Sequence, residues 1–393
     1  MKNNKTFKPS HKASTFTESV IREMSRIAAK YNAINLAQGL PDFNANIEFK
    51  QAGIDAINNN INQYAITWGN RHLRKALAQK YSSQLNIDID PETEITVTCG
   101  ATEAMVATFL ALINPGDEVI IFEPYYENYS PDTILAGAKP IHVRLYPENW
   151  TFNEDELTKA FNHNTKAIII NTPHNPTGKV FSHAELTTIA QLCQKWGVLA
   201  ITDEIYEHIL YDNSKHISIA SLPGMEELTV TINSLSKTYS LTGWRVGWAI
   251  ANSELTQSIR KVHDFLTVGS PAPLQAGAVT AINAPNSYYE DLKKDYDTRR
   301  SLLMDILDNH GFKYYKPGGA YYLFTDIGSF GYDNDLDFAQ NLVEKVKIAV
   351  VPGSSFITNE TYKHKYVRFC FSRKIETLNQ AAVNMKDFKS LIL

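Results

Sequence analysis

The chain has 393 residues, 44% of them hydrophobic and 20% charged, with a formal net charge of -4. That length allows two domains, or one large domain with a smaller appendage, and the composition is that of an ordinary globule, which excludes disordered and fibrous classes. Acidic and basic residues are interspersed, giving no patch for nucleic acid or an anionic membrane, and no run approaches the ~20 apolar residues needed to span a bilayer.

In chain order, the first fifteen residues are polar and lysine-rich, lack arginine and hold no apolar signal-peptide core. They read as a loose arm before an amphipathic helix over 16–30. From 95 to 251, short apolar runs alternate with helical patterns. The predicted strands are 95–98, 118–122, 140–143, 167–171, 198–202, 229–232 and 246–251. Helices are predicted at 102–113, 154–161 and 184–196, the last opened by a capping box from Ser182 to Glu185. Such alternation predicts an α/β fold with a mostly parallel, seven-stranded sheet sandwiched by helices. From about 284 the character changes. A polar helix at 287–309, a strand at 321–325, a helix at 336–347 and a strand at 366–372 read as a smaller α+β domain. Cys99, Cys193 and Cys370 lie in apolar patterns without CxxC or Cys/His spacing, so core packing, no metal site and a reducing, cytoplasmic location are expected.

The most informative stretch is Ser234-Leu-Ser-Lys237-Thr-Tyr-Ser-Leu-Thr-Gly-Trp-Arg245, directly after the predicted strand at 229–232. A lysine set among hydroxyls, glycines and tryptophans suits an amine that forms an imine inside a pocket, with Ser234 and Arg245 left to hold an anion. That layout suits pyridoxal phosphate, with a Schiff-base lysine and donors for the phosphate. Gly100-Ala101-Thr102 opens a helix after a strand, so its backbone N–H groups and the helix dipole form an anion site. Arg368 lies in an alternating strand pattern. A buried arginine demands an anion, and its donor fork matches either a substrate α-carboxylate or an internal acid. Gly100, Asn175, Asp203 and Lys237 all follow predicted strand ends, where ligands of such sheets bind.

Asn35-Leu-Ala-Gln-Gly39-Leu-Pro-Asp, Asn171-Thr-Pro-His-Asn175-Pro-Thr-Gly, Thr202-Asp203-Glu-Ile-Tyr206, the Lys237 segment and Val367-Arg368-Phe-Cys-Phe occur in one order along the chain. Together they resemble the fold type I, class I pyridoxal-phosphate aminotransferases, from about Phe16 to the C-terminus. More narrowly, they look like the branch of bacterial methionine aminotransferases and kynurenine/glutamine transaminases. The resemblance implies that residues 1–40 join residues 284–393 in a small domain closing over a large domain of 41–283. It implies that Lys237 moves the substrate α-proton and that Asp203 sits against the pyridine nitrogen, though an aspartate there also suits a helix N-cap. Tyr206, three residues on and within one helical turn, and Asn175, equally at home in a turn, would bond the cofactor's phenolic oxygen. Tyr125 would stack on the ring, with Tyr126 as its competitor, and Gly39 would allow close approach of substrate. Tyr64 would reach the phosphate of a neighbouring subunit, implying a homodimer with shared sites.

These features imply transfer of an α-amino group from an amino acid to a 2-oxo acid. A carbon–sulfur β-lyase would share the same cofactor residues. A non-catalytic regulator is disfavoured by the lack of a basic helix-turn-helix segment and by the presence of Lys237 with Arg368. The aspartate branch carries an arginine shortly before its Ser-x-x-Pro segment. Here Phe265-Leu-Thr-Val-Gly precedes Ser270, so a distal acid would go unpaired there. Methionine, aromatic amino acids, glutamine and kynurenine remain as donors, with Phe16, Ile21 and Tyr125 as expected pocket walls.

Overall fold

The computed structural model describes residues 8–10 and 12–391, so the expected arm of residues 1–15 falls partly outside the described residues. Helix α1 (Val20–Lys30) begins four residues later than the apolar pattern predicts, because the Ser19 side chain accepts from the Arg22 N–H and caps it there. Its inner face buries Met24 and Ala28, one turn apart. Strand β1 (Ile34–Asn35) follows, then α2 (Ile47–Asn58) and α3 (Arg71–Leu85).

The central sheet comprises β2 (Ile95–Thr98), β3 (Glu118–Glu123), β4 (Lys139–Tyr146), β5 (Thr151–Phe152), β6 (Thr165–Asn171), β7 (Leu199–Asp203), β8 (Thr229–Ser234) and β9 (Gly247–Ile250). Its order is β2-β9-β8-β7-β6-β3-β4-β5. Eight strands stand where seven are predicted. The extra one, β5, is a two-residue antiparallel partner of β4 and too short to carry an apolar pattern. Strands β4, β3, β6, β7 and β8 pair in parallel. β9 runs antiparallel between β8 and β2, so its beginning lies at the edge where its neighbours end.

Helices α4 (Ala101–Leu112), α5 (Tyr129–Leu135), α6 (Glu154–Ala160), α7 (His183–Trp196), α8 (Ser253–Thr267) and α9 (Ala272–Ile282) connect or follow these strands. The capping box opening α7 is present in both directions, Ser182 with Glu185. Both faces of the sheet are covered. Ile120, Ile168, Ile170 and Ala200 face one core, while Val119, Ile121, Ile169 and Ile201 face another with residues of α4. That alternation is the period-two pattern of a strand buried on both faces.

The C-terminal part begins with α10 (Asn286–Asp308) and contains β10 (Lys313–Tyr314), β11 (Tyr322–Asp326), β12 (Ile348–Ala349), β13 (Val351–Pro352) and β14 (Tyr366–Cys370). β10, β11, β14 and β13 form an antiparallel sheet, and β12 pairs in parallel with β1. The predicted helix at 336–347 is α11 (Asp335–Asn341) continued as one π-turn over Leu342–Val346, before α12 (Ile375–Asn384). No helix among the described residues is long and apolar enough to cross a membrane.

Candidate active site

A cavity of about 670 Å³ opens where β2, β3, β6, β7 and β8 end, and Lys237, Asp203, Tyr206, Asn175, Ser234, Arg245, Ala101, Thr102, Gly39 and Arg368 all line it. Lys237 follows β8, and its Nζ donates to the Gly39 carbonyl at 2.8 Å. Burial is the main cause that lowers its pKa from 10.5 to about 8; Arg368 and Arg245 push the same way, against Asp203 and Cys370. An amine of that pKa is a workable base near neutrality.

Asp203 is the last residue of β7. Its Oδ2 accepts from the Tyr129 hydroxyl at 2.7 Å, and burial raises its pKa to about 6 although Tyr129, the Ile205 N–H and Lys237 oppose that rise. The segment after it is a turn and not the helix implied by the sequence, yet Tyr206 still enters the cavity, bonded to Tyr322 across 3.0 Å. Asn171, the last residue of β6, sets the geometry between these strands. Its Oδ1 accepts from the Asn175 N–H at 2.7 Å and its Nδ2 donates to the Asp203 carbonyl at 2.8 Å.

Arg368 in β14 is fully buried. Nη1 donates to Asn175 Oδ1 and Nη2 to the Ala37 carbonyl, both at 2.7 Å, and its plane lies 4.1 Å from the Tyr322 ring centre. No carboxylate pairs with it among the described residues, and Nε has no partner. The internal-acid alternative is therefore not realised. The cation faces the cavity uncompensated.

Helix α4 opens without a side-chain cap, because Gly100 (φ 81°) stands at its N-cap, so its first N–H groups are free for an anion. A Cβ at Gly100 would strike the Arg245 guanidinium, which donates to the Thr242 and Cys99 carbonyls and has no acid partner among the described residues. Glu103 steadies this turn. It accepts from the Cys99 N–H and from His263 Nδ1, each at 2.7 Å, while His263 Nε2 faces the Thr67 carbonyl at 2.8 Å. Burial acts to lower the His263 pKa, but the Glu103 carboxylate and the Thr67 carbonyl outweigh it and raise the pKa.

Several expectations need correction. Tyr126 lines the cavity, whereas Tyr125 turns away and stacks on His142 of β4, with ring centres 5.0 Å apart. The Tyr125 N–H is also tied to the Phe356 carbonyl, which fixes that direction. Phe16 does not line the cavity, although Ile21 does. Gly39 lines the cavity, and the Tyr322 hydroxyl occupies the space a Cβ there would need. Cys99 is a wall of the cavity and not a core residue. Tyr64, expected to serve a neighbouring subunit, is 84% exposed in the single chain and outside its own cavity, which leaves that expectation open. The sequence reading missed Tyr126 as first choice, and Tyr129, Asn171, Ser236 and Asp132 altogether. Asp132 is buried on α5 with an unpartnered Oδ2 and a pKa pushed up by burial to about 7.

The family of aminotransferases of class I and II matches residues 31–384. The chain belongs to this family. Its fold is that of the fold type I enzymes, and the family depends on pyridoxal phosphate. It is similar to the N-succinyldiaminopimelate aminotransferase of Mycobacterium tuberculosis, at 37% identity and a TM-score of 0.93 over 96% of this chain and 99% of the other. A methionine aminotransferase of Escherichia coli, YbdL, superposes with a TM-score of 0.92 at 32% identity over 97% and 100% of the two chains. Kynurenine–oxoglutarate transaminase 3 of Rattus norvegicus is 36% identical over 98% of this chain and 91% of its own.

The aminotransferase site fits its cofactor on three observations. The uncapped α4 N-terminus, with Ser234, Ser236 and Arg245, suits a phosphate. A buried Asp203 with no cation in ion-pair reach suits a protonated ring nitrogen. Lys237 offers an amine of depressed pKa that pairs with no acid among the described residues.

Proposed function

We propose that this aminotransferase takes the α-amino group from donors with uncharged side chains, namely methionine, aromatic amino acids, glutamine or kynurenine, and passes it to a 2-oxo acid. The observation that carries the reading is the uncompensated, buried Arg368 facing the same cavity as Lys237. Arg368 would grip the α-carboxylate with its fork, held square by Asn175 and the Ala37 carbonyl. Ile21, Met105, Val106, Tyr126 and Leu266 supply apolar wall beside it, which suits an uncharged side chain.

When bound, pyridoxal phosphate supplies an aldehyde carbon for amines and a ring that accepts the electron pair released at the α-carbon. Lys237 is then the residue that carries the α-proton. Asp203, oriented by Tyr129, would hold a proton at the ring nitrogen, and Tyr206 and Asn175 would bond the ring oxygen. Gly100, Ala101, Thr102, Ser234 and Arg245 would hold the phosphate, and Tyr126 would flank the ring in place of Tyr125. In this reading residues 1–40 and 284–393 form the smaller unit over 41–283. Two chains pair in a cytoplasmic homodimer, with Tyr64 completing the neighbour's phosphate site; its exposure in the single chain supports this. A panel of amino donors against several 2-oxo acids, read as product formed by purified holoenzyme, tests the substrate class. Turnover of aspartate alone would overturn it.

A further inference from the structure

Three arginines line the cavity, Arg22, Arg245 and Arg368. Two are committed. Arg245 is fastened to the Thr242 and Cys99 carbonyls, and Arg368 to Asn175 and Ala37. Arg22 differs, because only its backbone N–H is bonded, to Ser19 Oγ, and its guanidinium has no hydrogen-bond or ion-pair partner among the described residues. It stands in the first turn of α1, where side chains lean back toward the helix N-terminus. That end of the helix is fastened to the cavity wall, since Ser19 Oγ donates to Glu127 Oε1, next to Tyr126. Glu127 is thereby engaged by Ser19 and makes no ion pair with Arg22.

We infer that Arg22 is a specificity-determining residue that binds the distal carboxylate of a dicarboxylic 2-oxo acid of the 2-oxoglutarate kind, with the α-carboxylate on Arg368. The inference rests on the aminotransferase reading above and names its second substrate. It also answers the missing arginine before Ser270: the distal charge is met from the N-terminal helix instead. Two neighbouring residues of α1 then serve two substrates in one site. Half-buried Ile21 offers apolar wall to an uncharged donor. Arg22, exposed and long, swings in for the acid and out for the donor.

The test compares glutarate with pentanoate, neither of which can react, by calorimetric titration of the holoenzyme, and 2-oxoglutarate with 2-oxohexanoate in the amino-accepting half-reaction. Arg22→Met should lower the affinity ratio of glutarate to pentanoate by about tenfold, one charge-assisted contact at an accessible site. The kcat/KM ratio of 2-oxoglutarate to 2-oxohexanoate should fall in parallel, Arg22→Lys should lie between, and raised salt should shrink the wild-type preference. An unchanged ratio, or equal weakening of both ligands, overturns the assignment. If no uncharged donor is turned over by the wild type, the donor reading fails while the glutarate ratio still decides on Arg22.

Discussion

Replacing Arg368 by lysine keeps the charge and removes the fork. In the structure its Nη1 and Nη2 each make a 2.7 Å bond, to Asn175 Oδ1 and the Ala37 carbonyl, and the side chain is wholly buried. A lysine ammonium offers one point where the guanidinium offers two in a plane, so a bound carboxylate loses one charge-assisted hydrogen bond, worth ~1.5–3 kcal/mol. That is a fall in kcat/KM of roughly 10- to 150-fold. The orphaned Asn175 or Ala37 acceptor adds a cost of ~1 kcal/mol that appears in Tm and not in the choice of donor. Because every donor carries the same α-carboxylate, the loss should be equal for methionine, phenylalanine and glutamine. Steady-state kinetics on the three, with Tm and cofactor absorbance as controls for folding, measure it. A loss below about threefold, or one confined to a single donor, refutes the role of Arg368 at the α-carboxylate.

Lys237→Met tests the buried amine without a cavity. The folded pKa of about 8 lies below the unfolded 10.5, so between those values only the unfolded chain holds the proton and stability rises with pH. The cofactor-free variant should therefore gain Tm over wild type at pH 7, by an amount that shrinks toward pH 10.5; a pH-independent difference would sink the argument. Tyr129→Phe removes a hydrogen bond that holds the Asp203 pKa down, so the acidic limb of cofactor affinity against pH should move upward from about 6, and an unmoved limb excludes the Tyr129 role. Tyr64→Phe should weaken cofactor binding by very roughly one to two orders of magnitude, the worth of one hydrogen bond to a charged group. Mixed dimers of Tyr64→Phe with Lys237→Ala should regain one site of wild-type affinity, since the intact Lys237 receives the partner chain's tyrosine; mixed dimers as weak as the Tyr64→Phe parent place that tyrosine elsewhere.

The parallel strands were legible because each is a run of β-branched and apolar residues buried on both faces, Ile168–Ile170 being the plainest case. The convergence of Asn175, Asp203 and Lys237 followed from their place at or just after strand ends. What the sequence could not decide was direction. Tyr125 and Tyr126 are chemically alike, and the choice between them is made by a stacking partner on β4 and a backbone bond to residue 356, both remote in sequence. Tyr129 was hidden in a short helix with no signal beyond its distance from a strand end. Asn171 was visible as a polar residue closing an apolar strand and could have been read as a clamp. Strand β5, at two residues, has no periodicity to detect.

The six residues from Asn35 to Leu40 contain no acid or base, yet two cations of the site, and a third just outside it, are measured against them. Lys237 is held by the Gly39 carbonyl, Arg368 by that of Ala37, and Arg373 by those of Asn35, Gln38 and Leu40. The information in this segment therefore resides in its length more than in its side chains. Conservative exchanges there should pass with modest effect, while loss or gain of a single residue would shift the acceptors of three positive groups together. It would cripple the enzyme as thoroughly as removing Lys237, from a stretch that no inspection of reactive groups would single out.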